Sequence, residues 1–167
     1  MHRRRGYPRG MSISGPVTFL WFDDRAEEAA DFYAATFPRS ERLGTTRYGE
    51  HPHKPAGSVM TAEVDIMGSR FVCLNGGPEF THSPAVSFQI FCDTQDEIDE
   101  LWSAITSDGG EEGRCGWCTD RFGVSWQVVP SNLGDLLGGC ANPEAAMACM
   151  LTMSKFDIDA LREAGSH

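Results

Sequence analysis

The chain has 167 residues, 41% of them hydrophobic, and a formal net charge of −10. A domain of this size can bury a core without disulfides or metals, and its acidity argues against nucleic acid and anionic membranes as partners. No run of about 18 apolar residues could span a bilayer, and no apolar stretch typical of a secretory signal follows the basic N-terminus. We therefore expect a single cytoplasmic domain with reduced cysteines.

The first 15 residues differ in character from the rest of the chain. They contain Arg3, Arg4, Arg5 and Arg9 as their only charged residues. A short basic end of this kind predicts a flexible tail. The domain itself is expected over residues 16–167. The natural start at Met1 or at Met11 is an open alternative.

A strand, a helix and three further strands are predicted next. The β-branched and aromatic run Val17–Phe22 indicates a buried strand. Asp23 and Asp24 offer an N-cap for a helix over Ala26–Phe37, which Pro38 ends. Three strand-like stretches follow, at about Glu41–Tyr48, Ser58–Ile66 and Arg70–Leu74.

The same order then recurs in the second half. A strand at Ala85–Cys92 leads through Asp93, the expected acidic cap, into a helix at about Gln95–Ser107. A hairpin with arms near Arg114–Thr119 and Ser125–Val129 follows. Three C-terminal helices are predicted, at Leu133–Leu137, from Asn142 to Met153, and at Ile158–Ala164.

The repeat predicts the fold class. We expect an α+β domain of tandem βαβββ modules, with one curved, antiparallel or mixed sheet around a cavity and with C-terminal helices. Module 1 covers about 16–78, module 2 about 84–130, and the helices 131–164. One sheet face is covered by helices, and the other curves around a space suited to a small molecule.

Six segments together resemble the PhnB-like branch of the vicinal oxygen chelate superfamily. That superfamily includes glyoxalases, bleomycin-resistance proteins and extradiol dioxygenases, and this branch is often catalogued as demethylubiquinone methyltransferases. The resemblance covers roughly residues 16–160. It is carried by Phe19–Pro38, Arg47–Glu50, Gly57–Glu63, Arg70–Pro78, Ala85–Trp102 and Gly109–Pro130.

The resemblance implies four inward-facing positions where metal-dependent relatives carry His and Glu ligands. They fall here at Val17 or Thr18, at Cys73, at Ser87 and at Gln127. None is a histidine or a carboxylate, so the set suits no common catalytic divalent ion. We therefore expect neither metal nor other cofactor.

Strand alternation extends this interpretation to a candidate ligand wall. If Ser87 faces inward, so do Gln89 and Phe91, while Phe88 and Ile90 pack on the helix. On the first strand, either Phe19 and Trp21 or Thr18, Leu20 and Phe22 face the cavity, and Trp21 is chosen because a large aromatic ring suits a ligand wall. The predicted substrate-binding residues are Trp21, Cys73, Asn75, Ser87, Gln89 and Gln127. The alternative is that these polar groups satisfy each other or buried water.

Two other patterns could in principle be chemical sites. Cys115 and Cys118 form a CxxC pair, but residues three apart on a strand point to opposite faces, which disfavours a redox or zinc role. His51 and His53 lie in a predicted loop and lack convergent partners, which disfavours a metal site there.

The leading hypothesis is a metal-free, glyoxalase-like protein that binds a small organic molecule, with no reaction assigned. One alternative is a metal-dependent lyase, isomerase or dioxygenase of the superfamily. The other is a methyltransferase, as the catalogue description says, although no glycine-rich turn opens a helix after a strand. The resemblance also implies a homodimer.

Overall fold

The computed structural model describes residues 15–166, so the tail predicted for residues 1–15 lies, except for Gly15, outside the described residues. Two four-stranded mixed sheets have the strand orders β1-β4-β3-β2 and β5-β8-β7-β6. Strand β1 is parallel to its neighbour β4, and β5 is parallel to β8. The other pairs are antiparallel. The predicted fold class, an α+β chain of tandem βαβββ modules, is confirmed.

The elements follow the predicted order closely. The first module consists of β1 (Thr18–Phe22), α1 (Ala26–Thr36), β2 (Glu41–Arg47), β3 (Val59–Ile66) and β4 (Ser69–Asn75). The second consists of β5 (Ser87–Cys92), α2 (Gln95–Thr106), β6 (Glu111–Glu112), β7 (Trp117–Thr119) and β8 (Ser125–Pro130). The C-terminal helices are α3 (Leu133–Gly138), α4 (Pro143–Thr152) and α5 (Ile158–Gly165). Strand β6 was not predicted, because two glutamates carry no strand propensity.

The expected acidic caps of α1 and α2 were wrong. The N-cap position of α1 is Arg25, which makes no side-chain cap, and the Ala26 N–H donates instead to Asn75 Oδ1 at 2.7 Å. In α2 the cap is Thr94, in a reciprocal capping box with Glu97. The N-terminus of α1 is therefore held by tertiary structure, and that of α2 by local sequence.

One hydrophobic core joins the two modules on the helix-facing sides of their sheets. The Tyr33 ring of α1 lies 5.5 Å from that of Trp126 in β8, and the Phe71 and Phe88 rings are 4.9 Å apart. No strand of one sheet pairs with the other within residues 15–166. The single curved sheet expected from the sequence is therefore two open sheets that share a core.

A buried carboxylate links the modules. Asp120, only 2% exposed, follows β7 and accepts hydrogen bonds at Oδ2 from Tyr33 Oη and Trp126 Nε1, both at 2.9 Å. Its Oδ1 accepts from the backbone N–H groups of Phe122 and Val124. Burial and this adjacent carboxylate raise the pKa of Tyr33 well above its ordinary value, so the phenol remains a donor.

In the described part of the chain, no helix has the length and apolar character needed to cross a membrane.

Candidate functional site

Three predicted residues form a hydrogen-bonded row across β5 and β8. The two strands are parallel, with Gln89 opposite Gln127. Gln127 Nε2 donates to Ser87 Oγ at 2.8 Å, and Gln89 Nε2 donates to Gln127 Oε1 at 3.1 Å. We call Ser87, Gln127 and Gln89 the amide row.

The face of this row is as strand alternation predicts. Gln89 and Phe91 are exposed, whereas Cys92 is 2% exposed and Phe88 and Ile90 pack against the core. The row therefore lies on the open face of the second sheet, next to the exposed Phe91 ring.

The hydrogen bonds within the row leave defined capacity for a ligand. Ser87 Oγ accepts from Gln127, so its own proton remains available to donate. Gln89 Oε1 has no protein partner within residues 15–166, and this side chain is exposed. The polar groups bond to one another, as one sequence alternative has it, and a donor and an acceptor remain at the ends of the row.

Trp21 is half-buried, at a separate place from the amide row. Its Nε1 donates to the Gly77 carbonyl at 2.8 Å, and its ring meets the Phe80 ring edge-on with centroids 5.1 Å apart. Gly76 lies directly against the indole, where any Cβ would overlap the ring. These contacts hold the indole in one orientation beside a cavity of about 280 Å³.

The predicted cavity-facing orientation of Cys73 and Asn75 was wrong. Cys73 is fully buried and pairs with Leu20 on the helix-facing side of the first sheet. Asn75 is 8% exposed, and its amide accepts from Ala26 N and donates to the Val59 carbonyl. The strand alternation was right, but the side of the sheet was inverted, because it was assigned from the metal position that the resemblance places at Cys73.

The four carried-over metal positions remain uncharged after this correction. Thr18 pairs with the buried Phe71, so of the two candidates the outward one is Val17, which directly precedes β1 and is 40% exposed. On β4, Val72 and Leu74 alternate with Cys73 and lie on the outward side. Apolar, hydroxyl and amide groups do not fit a catalytic divalent ion. Within residues 15–166, no three His, Cys, Asp or Glu side chains converge as a metal site.

All six cysteines are free thiols. The sulfur of Cys115 contacts the Met150 carbonyl, whereas Cys118 is 3% exposed in the core. The two sulfurs of the CxxC pair therefore lie in different surroundings, although Cys115 is in a turn, with φ of +54°, and not on the strand expected there.

Thiol chemistry provides a pH-dependent prediction. Burial raises the pKa of Cys73 and of Cys118 to about 12, and that of Cys92 to about 11. Because only the thiolate reacts, these three thiols should resist a disulfide reagent at pH 8, while the half-buried Cys115, Cys140 and Cys149 react. Titration with and without urea checks this: full reaction of all six thiols in the folded protein would contradict the burial.

Sequence reasoning assigned Trp21 to a ligand wall but missed Phe80, which lines the cavity beside it. Phe80 belongs to the loop that follows β4 and is 64% exposed. The available signal was an aromatic residue in an otherwise polar loop, between Glu79 and Thr81. Such a residue has no strand or helix partner, so its position depends on tertiary contacts.

Comparison with known proteins identifies relatives of the chain. Residues 14–129 match the family described as 3-demethylubiquinone-9 3-methyltransferase. A solved PhnB protein from Bacillus cereus, provisionally given that same description, is 32% identical, and the match covers 70% of this chain and 99% of that one, with a TM-score of 0.62. Protein PA1353 from Pseudomonas aeruginosa is 21% identical over 71% of this chain and 98% of its own, with a TM-score of 0.57, and shows likeness of fold alone. No curated protein matches the sequence.

Proposed function

The chain belongs to the family described as 3-demethylubiquinone-9 3-methyltransferase, within the PhnB-like branch of the vicinal oxygen chelate superfamily, and from this premise we propose that it binds a small, uncharged organic molecule at the amide row without a metal ion. The observation that carries the proposal is the continuous bonding of Ser87, Gln127 and Gln89, which contains no charge. A preformed polar row on an otherwise apolar wall is how ligand sites fix orientation.

The row defines the chemistry of the ligand. A carbonyl oxygen would accept from the Ser87 hydroxyl, and an N–H or O–H group would donate to Gln89 Oε1. An aromatic ring would lie against Phe91. Neutral aromatic amides such as benzamide combine these three features.

In our proposal, a second copy of the chain covers the open face of the sheet that carries the amide row. Phe19 and Phe91 are each 61% exposed on the open faces, and Val86 is 66% exposed. Apolar side chains exposed on strand faces are typical of surfaces that another chain covers. Sedimentation analysis should give a dimer at micromolar concentration, and a monomer there would reject this part of the proposal.

Thermal-shift screening tests the function. We expect neutral aromatic amides to stabilise the protein, and the Gln127→Leu variant to weaken their binding about tenfold, since one or two hydrogen bonds are lost. Thr152→Ala, an exposed change on α4, is the control and should leave binding unchanged.

Two outcomes would contradict the proposal. Stabilisation by S-adenosylmethionine alone would support methyl transfer, as the family description says. Stabilisation by divalent ions alone would support a metal-dependent enzyme.

A further inference from the structure

The cavity beside Trp21, which contains no residue of the amide row, lies where the two sheets meet. It is lined by β1, by the loop over residues 80–83, and by the first residues of β5 and β8. Strand β1 is an edge strand, so its free side faces no other strand. The cavity holds about 280 Å³, close to the lower end of small-molecule sites at about 300 Å³. Its size fits a single substituted ring.

Two polar atoms of residues that line this cavity have no hydrogen-bond partner among residues 15–166. They are Ser125 Oγ and His82 Nε2, and both atoms are buried. Ser125 as a whole is 2% exposed. An unpaired buried hydroxyl or imidazole nitrogen is costly, and native proteins rarely retain one without a reason.

The imidazole presents a lone pair. Burial lowers the pKa of His82 below its ordinary value and outweighs the nearby Asp120 carboxylate and the Trp21 backbone, which both raise it, so the ring is neutral near pH 7. Nε2 has no partner among residues 15–166, so in the tautomer with the proton on Nδ1 its lone pair is available to a ligand donor. Nε2 is left as an acceptor.

The remaining walls exclude a charged ligand. Aromatic rings of Phe19, Trp21, Phe80 and Phe88 line the cavity, and no Asp, Glu, Lys or Arg among residues 15–166 does so. A hydroxyl group both donates and accepts, so a neutral ligand with one hydroxyl has the chemistry to partner either orphaned atom, as donor to His82 Nε2 or as acceptor from Ser125 Oγ. Aromatic walls favour a ring as the body of that ligand.

We propose that this cavity between the sheets is a separate binding site for a small phenol, held by His82 and Ser125. The site goes beyond the proposed function: it shares no residue with the amide row, although Ser125 lies opposite Ser87 in the pairing of β5 with β8.

Fluorine NMR titration of the full chain tests the site with 4-fluorophenol, and with 4-fluoroanisole as the probe that lacks the donor proton. We expect saturable binding of the phenol and at least fivefold weaker binding of the anisole. His82→Phe keeps a ring but removes the acceptor, and should weaken phenol binding about tenfold while leaving anisole binding unchanged. His53→Phe, in an exposed loop, is the matched control and should change neither.

Ser125→Ala is an independent second variant. It should weaken phenol binding severalfold and yet not lower the melting temperature, because it removes an unpaired buried hydroxyl. Gln127→Leu should leave phenol binding intact, which separates this site from the amide row. No saturable binding of 4-fluorophenol to the wild-type chain would overturn the proposal, as would unchanged affinity in folded His82→Phe or Ser125→Ala protein.

Discussion

Replacement of Asp120 by alanine should destabilise the protein by about 4 kcal/mol, among the larger losses for one side chain. The change leaves four donors without their acceptor: two backbone N–H groups, the Tyr33 hydroxyl and the Trp126 indole N–H. Tyr33 and Trp126 are fully buried, so water cannot replace the carboxylate there without disturbing the packing. Urea denaturation followed by tryptophan fluorescence measures the loss.

Two companion variants identify the cause. Asp108→Ala removes an exposed carboxylate that pairs with Arg121, and should cost less than about 1 kcal/mol. Tyr33→Phe removes one of the four donors and should cost about 1 to 2 kcal/mol. If Asp120→Ala costs no more than Asp108→Ala, the buried network does not join the modules.

Replacement of Gly116 by alanine should destabilise the protein by about 3 kcal/mol or more. Gly116 has φ of +80°, a conformation that strains any residue with a Cβ. A Cβ there would also overlap the Phe156 ring and come within 2.7 Å of the Val128 carbonyl. Phe156 is 1% exposed and cannot swing aside. The segment that precedes α5 would be displaced from the second sheet, where Gly116 N donates to Ser154 O at 2.7 Å.

Gly68→Ala is the matched control for backbone strain. Gly68 has φ of +87°, but nothing lies within 4 Å of the place that a Cβ would occupy. Only the cost of holding a residue with a Cβ at positive φ then applies, which is about 1 to 2 kcal/mol. Equal losses for the two variants in urea denaturation would show that contact with Phe156 contributes nothing.

The fold was predictable because the pattern occurs twice. The strand at Val17–Phe22 and the strand at Ala85–Cys92 each lead into a helix whose apolar side chains recur at helical spacing. Both helices begin within a residue of the predicted position. The cap of α1 could not be predicted from the neighbouring sequence, because the Ala26 N–H donates to Asn75, which lies 49 residues further along the chain.

The candidate site was predictable only where alternation and sheet side could both be assigned. Gln89 and Phe91 alternate with apolar residues that must face the core, so the open face of β5 followed from the sequence. On β4, Phe71, Cys73 and Asn75 alternate with Val72 and Leu74, which are equally apolar. The two-residue alternation of side chains along β4 therefore could not decide which of the two groups of residues faces the helix, and the predicted side was wrong.

Calorimetric titration of the chain with Zn²⁺, Ni²⁺ and Mn²⁺ tests the central claim, an uncharged site, most directly. We expect no stoichiometric binding at micromolar concentration, because amide, hydroxyl and apolar groups stand where a divalent ion needs imidazole or carboxylate. A His51→Ala/His53→Ala variant removes the exposed loop histidines as a source of weak binding. One tightly bound ion per chain that persists in this variant, but is lost in Gln127→Leu, would contradict an uncharged, metal-free site.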